Sequence, residues 1–403
     1  MTDGYPVTPT QRDLFLHHLR FPRDTNYSLG MTGRLPPDVD TGRWADAVAH
    51  VWAAEPLAAT SFRVSGAEVR HTTTAAAGSP PFEVVELTGS PETAFTRFVA
   101  ERVLRSYDLA EPPLVSTFLC RGGDGVTAVL AAPHLLLDGS SGRVFLDRVC
   151  AAYRGAPAND PASPGFLDLA AGIAARFDEP DTLAHWKSVG AGLVAVRAEE
   201  GEGGAETEDL VLPAGRLGAM AVRCAELGVS VPSALLAAYA AAIACVCAPA
   251  GPFPVYTLLG GRDARSRHLM GCFFHVLPYV FDPDTAEPAG LLGRVRGYRR
   301  ALGRRAYLSV QRQRMLLPSG GVRFTFNYYD FTPAELLGRR GRVSMLESYP
   351  PDEVHLIAGV EPGGSLRLRL AYDRGHLPGP AVLKRLPEIL DHLLAAGETV
   401  HDG

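Results

Sequence analysis

The chain has 403 residues, of which 46% are hydrophobic and 21% charged, a balance typical of a folded protein with room for two domain-sized cores. Its formal net charge of -5 argues against a general nucleic-acid-binding protein. The N-terminal residues contain neither a basic segment nor an apolar one, so we expect no secretory signal peptide and a cytoplasmic location.

The longest uncharged apolar run covers residues 233–248. It is shorter than the ~20 residues that a membrane span needs, so we predict a buried helix there and no membrane association. The six cysteines show no Cys-x-x-Cys pair and no Cys/His spacing typical of a metal site. We therefore expect buried free thiols in a reducing compartment, and no bound metal.

The N-terminal half opens with a helix-start pattern. Thr8 can cap a helix, Pro9 suits its first turn, and Gln11 completes a capping box. Hydrophobic periodicity and turn residues then predict helices over 44–52 and 91–107, a hairpin of 62–64 with 69–72, and strands over 114–120 and 126–132.

A histidine and an acidic turn follow the last of these strands. His134 lies at the strand exit, Asp138-Gly139 is typical of a turn, and Ser140 and Ser141 can cap a helix that extends to about residue 153. An imidazole at such a position can accept a proton near neutral pH, and Asp138 could orient it or brace the loop. The alternative is a buried histidine that only completes the core, because this spacing also occurs by chance.

The second half repeats the mixed pattern. The Pro-, Ala- and Gly-rich composition of residues 155–164 predicts a linker. The six acidic residues within 199–209 indicate a solvated loop. Further helices are predicted from 166 and over 217–227, 233–247, 291–315 and 380–395, and further strands over 254–259, 273–281, 322–329, 344–349, 354–359 and 365–372. Each half alternates strands and helices, which favours two α/β domains, 1–160 and 161–403.

Six segments, in chain order, carry a resemblance to a known family. They are TPTQRDLFL (8–16), EPLAATSF (55–62), PHLLLDGSS (133–141), FLDLA (166–170), GRD (261–263) with MGCFFHVLP (270–278), and FNY (326–328). They resemble the SxAQxRLWxL, RHExLRTxF, HHxxxDGxS, YxDYA, GR…IGxFVNTLP and FNY motifs of the condensation domains of nonribosomal peptide synthetases. That family belongs to the superfamily of chloramphenicol-acetyltransferase-like, CoA-dependent acyltransferases.

The resemblance implies an α/β fold of two acetyltransferase-like lobes in a V-shaped pseudo-dimer, with a tunnel between them and His134 at its middle. It implies an enzyme of natural-product (nonribosomal peptide) biosynthesis. Because the sequence shows no carrier-protein, adenylation or thioesterase motif, we expect a freestanding enzyme, and a two-lobe chain of this kind can work as a monomer. Such an enzyme joins an acyl or aminoacyl thioester, held on the phosphopantetheine of a carrier protein, to a small-molecule amine or hydroxyl acceptor. No cofactor is expected to bind the enzyme itself.

The resemblance also assigns roles to residues of the His134 loop. His134 is expected to act as a general base or a positioning group. Asp138 is expected to form a salt bridge with Arg262 across the lobe interface, which would give Arg262 a structural role. Gly139 would leave space for a pantetheine arm, for which the alternative is an ordinary turn glycine. Ser140 is expected to line the tunnel.

Three further tunnel residues are expected in the second half, and three features depart from the family pattern. His275, Asn327 and Tyr328 are expected to line the tunnel, although the last two could equally be plain sheet residues. Pro133 replaces the first histidine of HHxxxDG, and His275 replaces the asparagine of FVNT as a second titratable group. The HQDxPFE motif is not recognisable around residues 305–312. The last two departures indicate an unusual substrate or a narrowed channel.

Two alternatives of function remain open at this point. The chain could be an O- or N-acyltransferase that uses acyl-CoA, or a non-catalytic condensation-like domain that binds a carrier protein or recruits a tailoring enzyme. Retention of His134, Asp138 and Gly139 argues against the second. The eight arginines from Arg294 to Arg314, with no acidic residue among them, could dock an acidic carrier or a CoA phosphate, or form a solvated helix face.

Overall fold

The computed structural model of the chain describes residues 4–74, 79–123, 125–156, 165–197, 204–285, 287–329, 334–341, 343–347, 353–361, 363–373 and 379–396. The chain forms two compact units. The first contains Met1–Ala175, Gly260–Phe274 and Phe331–Ser348, and the second contains Arg176–Leu259, His275–Asp330 and Tyr349–Gly403. This division differs from the one expected at residue 160, because Phe166, Met270 and Leu336 lie in the hydrophobic core of the first unit.

The helices are interspersed with the strands along the chain. In order they are α1 (Pro9–Arg20), α2 (Thr41–Ala53), α3 (Pro91–Phe98), α4 (Gly139–Tyr153), α5 (Phe166–Ala174), α6 (Pro180–Gly190), α7 (Ala214–Glu226), α8 (Val231–Cys247), α9 (Pro288–Leu302), α10 (Val310–Leu316) and α11 (Gly379–Ala396). Short 3-10 turns cover Pro56–Ala59, Pro283–Thr285 and Gly303–Ala306, and a π-helical turn covers Val99–Val103.

The strands are β1 (Tyr5–Pro6), β2 (Ser28–Leu35), β3 (Thr60–Ser65), β4 (Glu68–Thr73), β5 (Phe82–Glu86), β6 (Ser116–Gly122), β7 (Gly125–Pro133), β8 (Ala205–Leu212), β9 (Phe253–Leu259), β10 (His275–Phe281), β11 (Arg323–Tyr329), β12 (Ala334–Leu336), β13 (Arg339–Gly341), β14 (Val343–Glu347), β15 (Glu353–Val360) and β16 (Leu366–Asp373). Together with the helices they confirm the expected mixed α/β fold.

The first unit is built on a five-stranded sheet with the order β14-β2-β7-β6-β5, beside a small sheet β1-β4-β3. Strand β7 runs antiparallel to β2 and ends where Pro133 pairs with Ser28, so the chain leaves the sheet at His134. Helices α2 and α4 pack together, and their apolar side chains join the core. The His134 loop therefore begins where the central strand of this sheet ends.

The first helix confirms its predicted start and also supports the loop. The Gln11 backbone N–H donates to Thr8 Oγ1 (3.3 Å), and the Thr8 N–H donates to Gln11 Oε1 (3.0 Å), which completes the capping box. Gln11 is fully buried, and its Nε2 donates to the carbonyl of Leu135 at 2.8 Å. One side chain thus caps α1 and holds the residue that follows His134.

The second unit has a six-stranded sheet with the order β10-β9-β11-β15-β16-β8, in which β11 is parallel to both of its neighbours. Helix α8 is nearly all apolar and packs against α9 and α11. Its Tyr239 is fully buried beside Phe324 and Phe326 of β11. The apolar run of residues 233–248 is therefore a core helix of this unit, as predicted.

Three predicted elements are wrong in part. Residues 205–209 form part of strand β8 and not a loop, because Arg367 and Arg369 of β16 neutralise Asp209 across the sheet; residues 198–203 lie outside the described residues. The basic helix predicted over 291–315 is interrupted after α9, where Gly303 takes a positive φ of 50°. The helix predicted over 91–107 ends with its π-helical turn at Val103.

The structure refines the expectations about the cysteines and about a membrane-spanning helix. All six cysteines are free, and four are buried, but Cys245 is exposed and Cys247 is partly exposed. Within the part of the chain that the structure describes, no single helix is long and apolar enough to cross a bilayer. The bent pair α7 and α8, at 98°, meets the requirement by length and composition only.

We expect Gly142→Ala to destabilise the fold and Gly172→Ala to be neutral or stabilising. A Cβ at residue 142 would lie 2.2 Å from Met31 Sδ and 2.6 Å from Met31 Cβ, so α4 would have to move off β2 at a cost of about 1–3 kcal/mol. A Cβ at residue 172 of α5 meets nothing within 4 Å. There alanine should gain up to about 1 kcal/mol of helix propensity. Urea unfolding of both variants compares the two positions.

Candidate active site

The His134 loop is fixed first by main-chain hydrogen bonds. The His134 N–H donates to the carbonyl of Tyr27 at 2.7 Å, and the Leu136 N–H donates to the carbonyl of Pro133 at 2.9 Å. The three leucines after His134 are buried and join the core of the first unit. Pro133 occupies the last position of β7, so its fixed φ is accommodated at the strand end.

The imidazole of His134 packs against an aromatic ring. The ring centroids of His134 and Phe274 lie 4.5 Å apart, and His134 is 9% exposed. The main-chain hydrogen bond of His134 and the contact of its ring with Phe274 therefore restrict the directions in which the ring nitrogens point.

Asp138 is the N-cap of α4, which corrects the expectation that Ser140 and Ser141 cap this helix. Its Oδ1 accepts hydrogen bonds from the backbone N–H of Ser141 (3.1 Å) and from the Ser141 hydroxyl (2.9 Å). Its Oδ2 accepts from the N–H of Phe273 at 3.1 Å and from Arg262. Both oxygens of the Asp138 carboxylate thus accept hydrogen bonds from protein groups, whereas Ser140 is exposed to solvent.

The predicted ion pair between Arg262 and Asp138 is confirmed, but not its expected place across a lobe interface, because the first unit contains both residues. The side chains are only 10% and 4% exposed. Arg262 also donates to Ser141 Oγ (3.2 Å) and to the carbonyl of Leu269 (3.1 Å), and its guanidinium lies 4.4 Å from the centroid of the Phe273 ring. One cation therefore joins α4 to the segment 260–274.

Ser141 and Gly271 complete this network, and the sequence interpretation missed both roles. Ser141 Oγ accepts from the N–H of Gly271 (3.0 Å), and the Asp138 N–H donates to the Gly271 carbonyl (3.1 Å). Gly271 has a φ of 150°, and a Cβ there would lie 2.4 Å from the Phe166 ring. The only sequence signal was the expected helix start at Ser141, which does not indicate a partner in residues 260–274.

A small, partly open pocket of about 30 Å³ lies in the first unit beside the backbone of this loop. Pro133 and Leu135, on either side of His134, belong to its wall, as does Tyr27, whose carbonyl holds the His134 N–H. Tyr27 has an unusual positive φ of 68°, and the pocket wall also carries Tyr107, whose pKa burial raises to about 12. No sequence pattern predicted this pocket.

His275 is the first residue of β10 in the second unit, and its environment is apolar and cationic. Its ring stacks on Tyr307 at 4.8 Å and meets the edge of Phe177 at 5.5 Å. Burial, together with the charges of Arg299 and Arg176, lowers the pKa of His275 to about 3. The imidazole is therefore neutral at physiological pH, and its place in a tunnel stays a prediction.

Asn327 and Tyr328 point to opposite faces of β11. Tyr328 packs against the core of the second unit, on the same face as Phe324 and Phe326. Alternation along a strand places Asn327 on the other face, with Thr325. Asn327 therefore lies on the face away from this core, while the partly buried Tyr328 packs against it; that either lines a tunnel stays a prediction.

A model of the family described as the condensation domain matches residues 1–304. The chain belongs to the condensation-domain family. A search among curated proteins finds no match. Within the described residues, no group of three or more His, Cys, Asp or Glu side chains could hold a metal ion.

Solved structures share the fold of this condensation domain at low sequence identity. The first condensation domain of the calcium-dependent antibiotic synthetase, with a substrate analogue, is 18% identical, with a TM-score of 0.80 over 98% of this chain and 97% of that chain. The starter condensation domain of rhizomide synthetase with C8-CoA is 16% identical, with a TM-score of 0.79 over 98% and 95%. The epimerization domain of tyrocidine synthetase B is 16% identical, with a TM-score of 0.74 over 97% and 98%.

We expect Arg262→Lys to weaken both the fold and the activity of the condensation domain. The ammonium of a lysine cannot reproduce the fork geometry with which the guanidinium contacts Asp138, Ser141 and Leu269. Arg262→Ala removes the partner altogether and leaves the buried Asp138 carboxylate unpaired. The free energy of unfolding should then fall by about 3–5 kcal/mol. Urea unfolding and turnover measure the two effects. Arg265→Lys, at an exposed position three residues on, is the matched control; equal behaviour of the two lysine variants contradicts the bracing role.

His275 should make the protein less stable in acid, and His275→Asn should remove that sensitivity. The unfolded chain binds this proton below about pH 6.5, whereas the folded protein does so only near pH 3, so stability falls as the pH falls between these values. At about pH 5 the proton on His275 of the unfolded chain should lower the free energy of unfolding by about 2 kcal/mol relative to about pH 8. Urea unfolding at about pH 8 and pH 5 measures it. The exposed His268→Asn is the control, and an unchanged pH slope in His275→Asn would contradict the buried neutral state.

Proposed function

We propose that this condensation domain forms an amide or an ester. The donor is an acyl or aminoacyl thioester on the phosphopantetheine of a carrier protein, and the acceptor is a small-molecule amine or hydroxyl. The observation that supports this most is the set of bonds around His134. Its main chain is tied to Tyr27, its ring rests on Phe274, and the following turn is braced by the Asp138–Arg262 pair.

The reaction needs positioning more than covalent help. A thioester is already activated, so the enzyme must hold the acceptor against it and accept the proton that the acceptor loses. Holding two reactants in register can lower a barrier by up to about 7–11 kcal/mol, whereas a general base adds a factor of about 10²–10⁴. We assign His134 this second task, or the positioning of the attacking group. Asp138 serves the loop, since its oxygens bond to Ser141, Phe273 and Arg262.

The remaining candidate residues fall into two groups. Gly139 and Ser140 open α4 directly after Asp138, and we propose that the half-buried glycine leaves room for a pantetheine arm beside an exposed serine. His275 and Asn327 of the second unit are proposed to contact substrate. His275 then acts as a neutral polar group and not as a base, because of its low pKa of about 3. Tyr328 is proposed to support β11 instead of contacting substrate, since it is partly buried against the core of the second unit.

An acyl-CoA donor is the second candidate, because the similar starter domain of rhizomide synthetase was solved with C8-CoA. Incubating the purified protein with the same acyl group on CoA and on a carrier protein separates the two donors.

A non-catalytic domain is the third candidate. The similar epimerization domain shows that this fold is not restricted to condensation, and Pro133 and His275 depart from the family motifs.

We expect His134→Ala to affect a hydroxyl acceptor much more than an amine acceptor. A neutral alcohol is a poor nucleophile until its proton is removed, so kcat should fall by about 10²–10⁴ with a hydroxyl and less with an amine. The measurement is turnover of one thioester donor with a matched amine and alcohol. Because the ring also packs on Phe274, thermal unfolding of the variant checks that the fold is retained.

His134→Gln controls for the size of the removed side chain, since it keeps a polar group but cannot act as a base at neutral pH. Full turnover by both variants with both acceptors would exclude His134 from the chemistry. The domain would then act on its substrates by positioning alone, whereas carrier binding without turnover by the wild type would favour the non-catalytic candidate.

A further inference from the structure

Helix α9 turns a face of unusual composition to solvent. Its buried residues are Leu291, Leu292, Val295 and Leu302, at helical spacing. The opposite side carries Gly293, Arg296, Gly297 and Arg300 at the spacing i, i+3, i+4 and i+7, so these four residues form one stripe. We refer to this stripe as the arginine face.

The charge of the arginine face is not balanced by its neighbours. From residue 288 to 329 the sequence has nine arginines and no acidic residue, although the whole chain has a net charge of -5. Arg296 and Arg300 are exposed, and neither forms an ion pair with an acidic side chain in the described ranges. Like charges four residues apart disfavour a helix, so this pair does not serve the stability of α9.

The two glycines of the arginine face have no structural role within the described part of the chain. A Cβ at residue 293 or 297 would meet nothing within 4 Å, and neither glycine has a positive φ. Glycine inside a helix lowers its stability relative to alanine. The glycines provide a strip of helix surface without side chains beside the arginines, which we call the glycine strip and along which another backbone can come close.

We propose that the arginine face of α9 docks an acidic helix of the carrier protein that delivers the thioester. The inference rests on the proposed function, because a substrate that arrives on a protein requires a surface for that protein. Paired arginines with no counter-charge favour an acidic partner, and the glycine strip favours close packing of a helix. A nucleic acid fits less well, since the half-buried Tyr298 of α9 packs in the core and presents no exposed ring for base stacking.

The first experiment measures binding of a fluorescently labelled, acidic peptidyl carrier protein by anisotropy. Arg296→Glu/Arg300→Glu should weaken binding at about 50 mM salt at least about tenfold, and the wild-type affinity should fall as salt rises to about 300 mM. Arg97→Glu/Arg385→Glu makes the same change of net charge at other exposed positions and should bind like the wild type. Unchanged binding by the first variant, or equal loss in both, overturns the proposal.

The second experiment tests close approach without a change of charge. Gly297→Ala and Gly297→Tyr should both fold, because the space around residue 297 is open. Only the tyrosine should weaken binding of the same carrier probe, by at least about tenfold, because its ring holds a partner helix away from the strip. Equal affinity of the two variants contradicts the close contact. Binding of a labelled DNA duplex that is as tight as that of the carrier, and lost in the Arg296→Glu/Arg300→Glu variant, would assign the face to nucleic acid instead.

The third experiment separates failure of this inference from failure of the proposed function. Turnover is compared with one acyl group on the carrier protein and on pantetheine alone. The Arg296→Glu/Arg300→Glu variant should raise KM at least about tenfold for the carrier-bound donor and leave the pantetheine donor within about twofold. Equal effects on both donors, or on neither, overturn the docking role while the proposed function stands. If the wild type turns over neither donor, the proposed function fails, and the binding experiments still decide the docking role.

Discussion

The buried ion pair between Asp138 and Arg262 holds the candidate site together. Removing two charges from water is costly unless hydrogen bonds and the opposite charge offset it. Here Asp138 accepts from backbone and side-chain donors, and Arg262 also donates to a hydroxyl and a carbonyl. Because Ser141 and Gly271 bond to each other inside this network, the start of α4 and the segment 260–274 are fixed together. His134 leaves the sheet four residues before Asp138, and Phe274, the last residue of the segment, contacts the His134 ring.

The two histidines of interest show how environment sets the role of one residue type. His134 is held through its main chain and against one aromatic ring at the end of a strand. His275 lies among Tyr307 and Phe177, near two arginines, and its pKa of about 3 keeps it neutral. A neutral imidazole can donate or accept a hydrogen bond, but it cannot supply a charge or buffer a proton near pH 7. The two positions are therefore suited to different tasks.

The comparisons establish the family and the fold, and the site must carry the argument for function. Structures with similar folds are described as condensing, starter and epimerization domains at 16–18% identity, so the fold alone does not select one activity. The function that we propose for this chain rests on the braced His134 loop and the arginine face of α9. The first indicates where a proton could be taken up, and the second indicates how a substrate carried on a protein could be brought to the enzyme.

By itself the sequence determined the elements whose signals are local. The capping box of Thr8 and Gln11, the strand that ends before His134 and the apolar helix α8 follow from neighbouring residues, and the motif match correctly paired Asp138 with Arg262. Only the tertiary structure decided the rest. It placed residues 260–274 in the first unit, made Ser141 and Gly271 partners, turned Asn327 and Tyr328 to opposite faces, and lowered the pKa of His275. These properties depend on burial and on contacts between residues far apart in the chain, which no local pattern encodes.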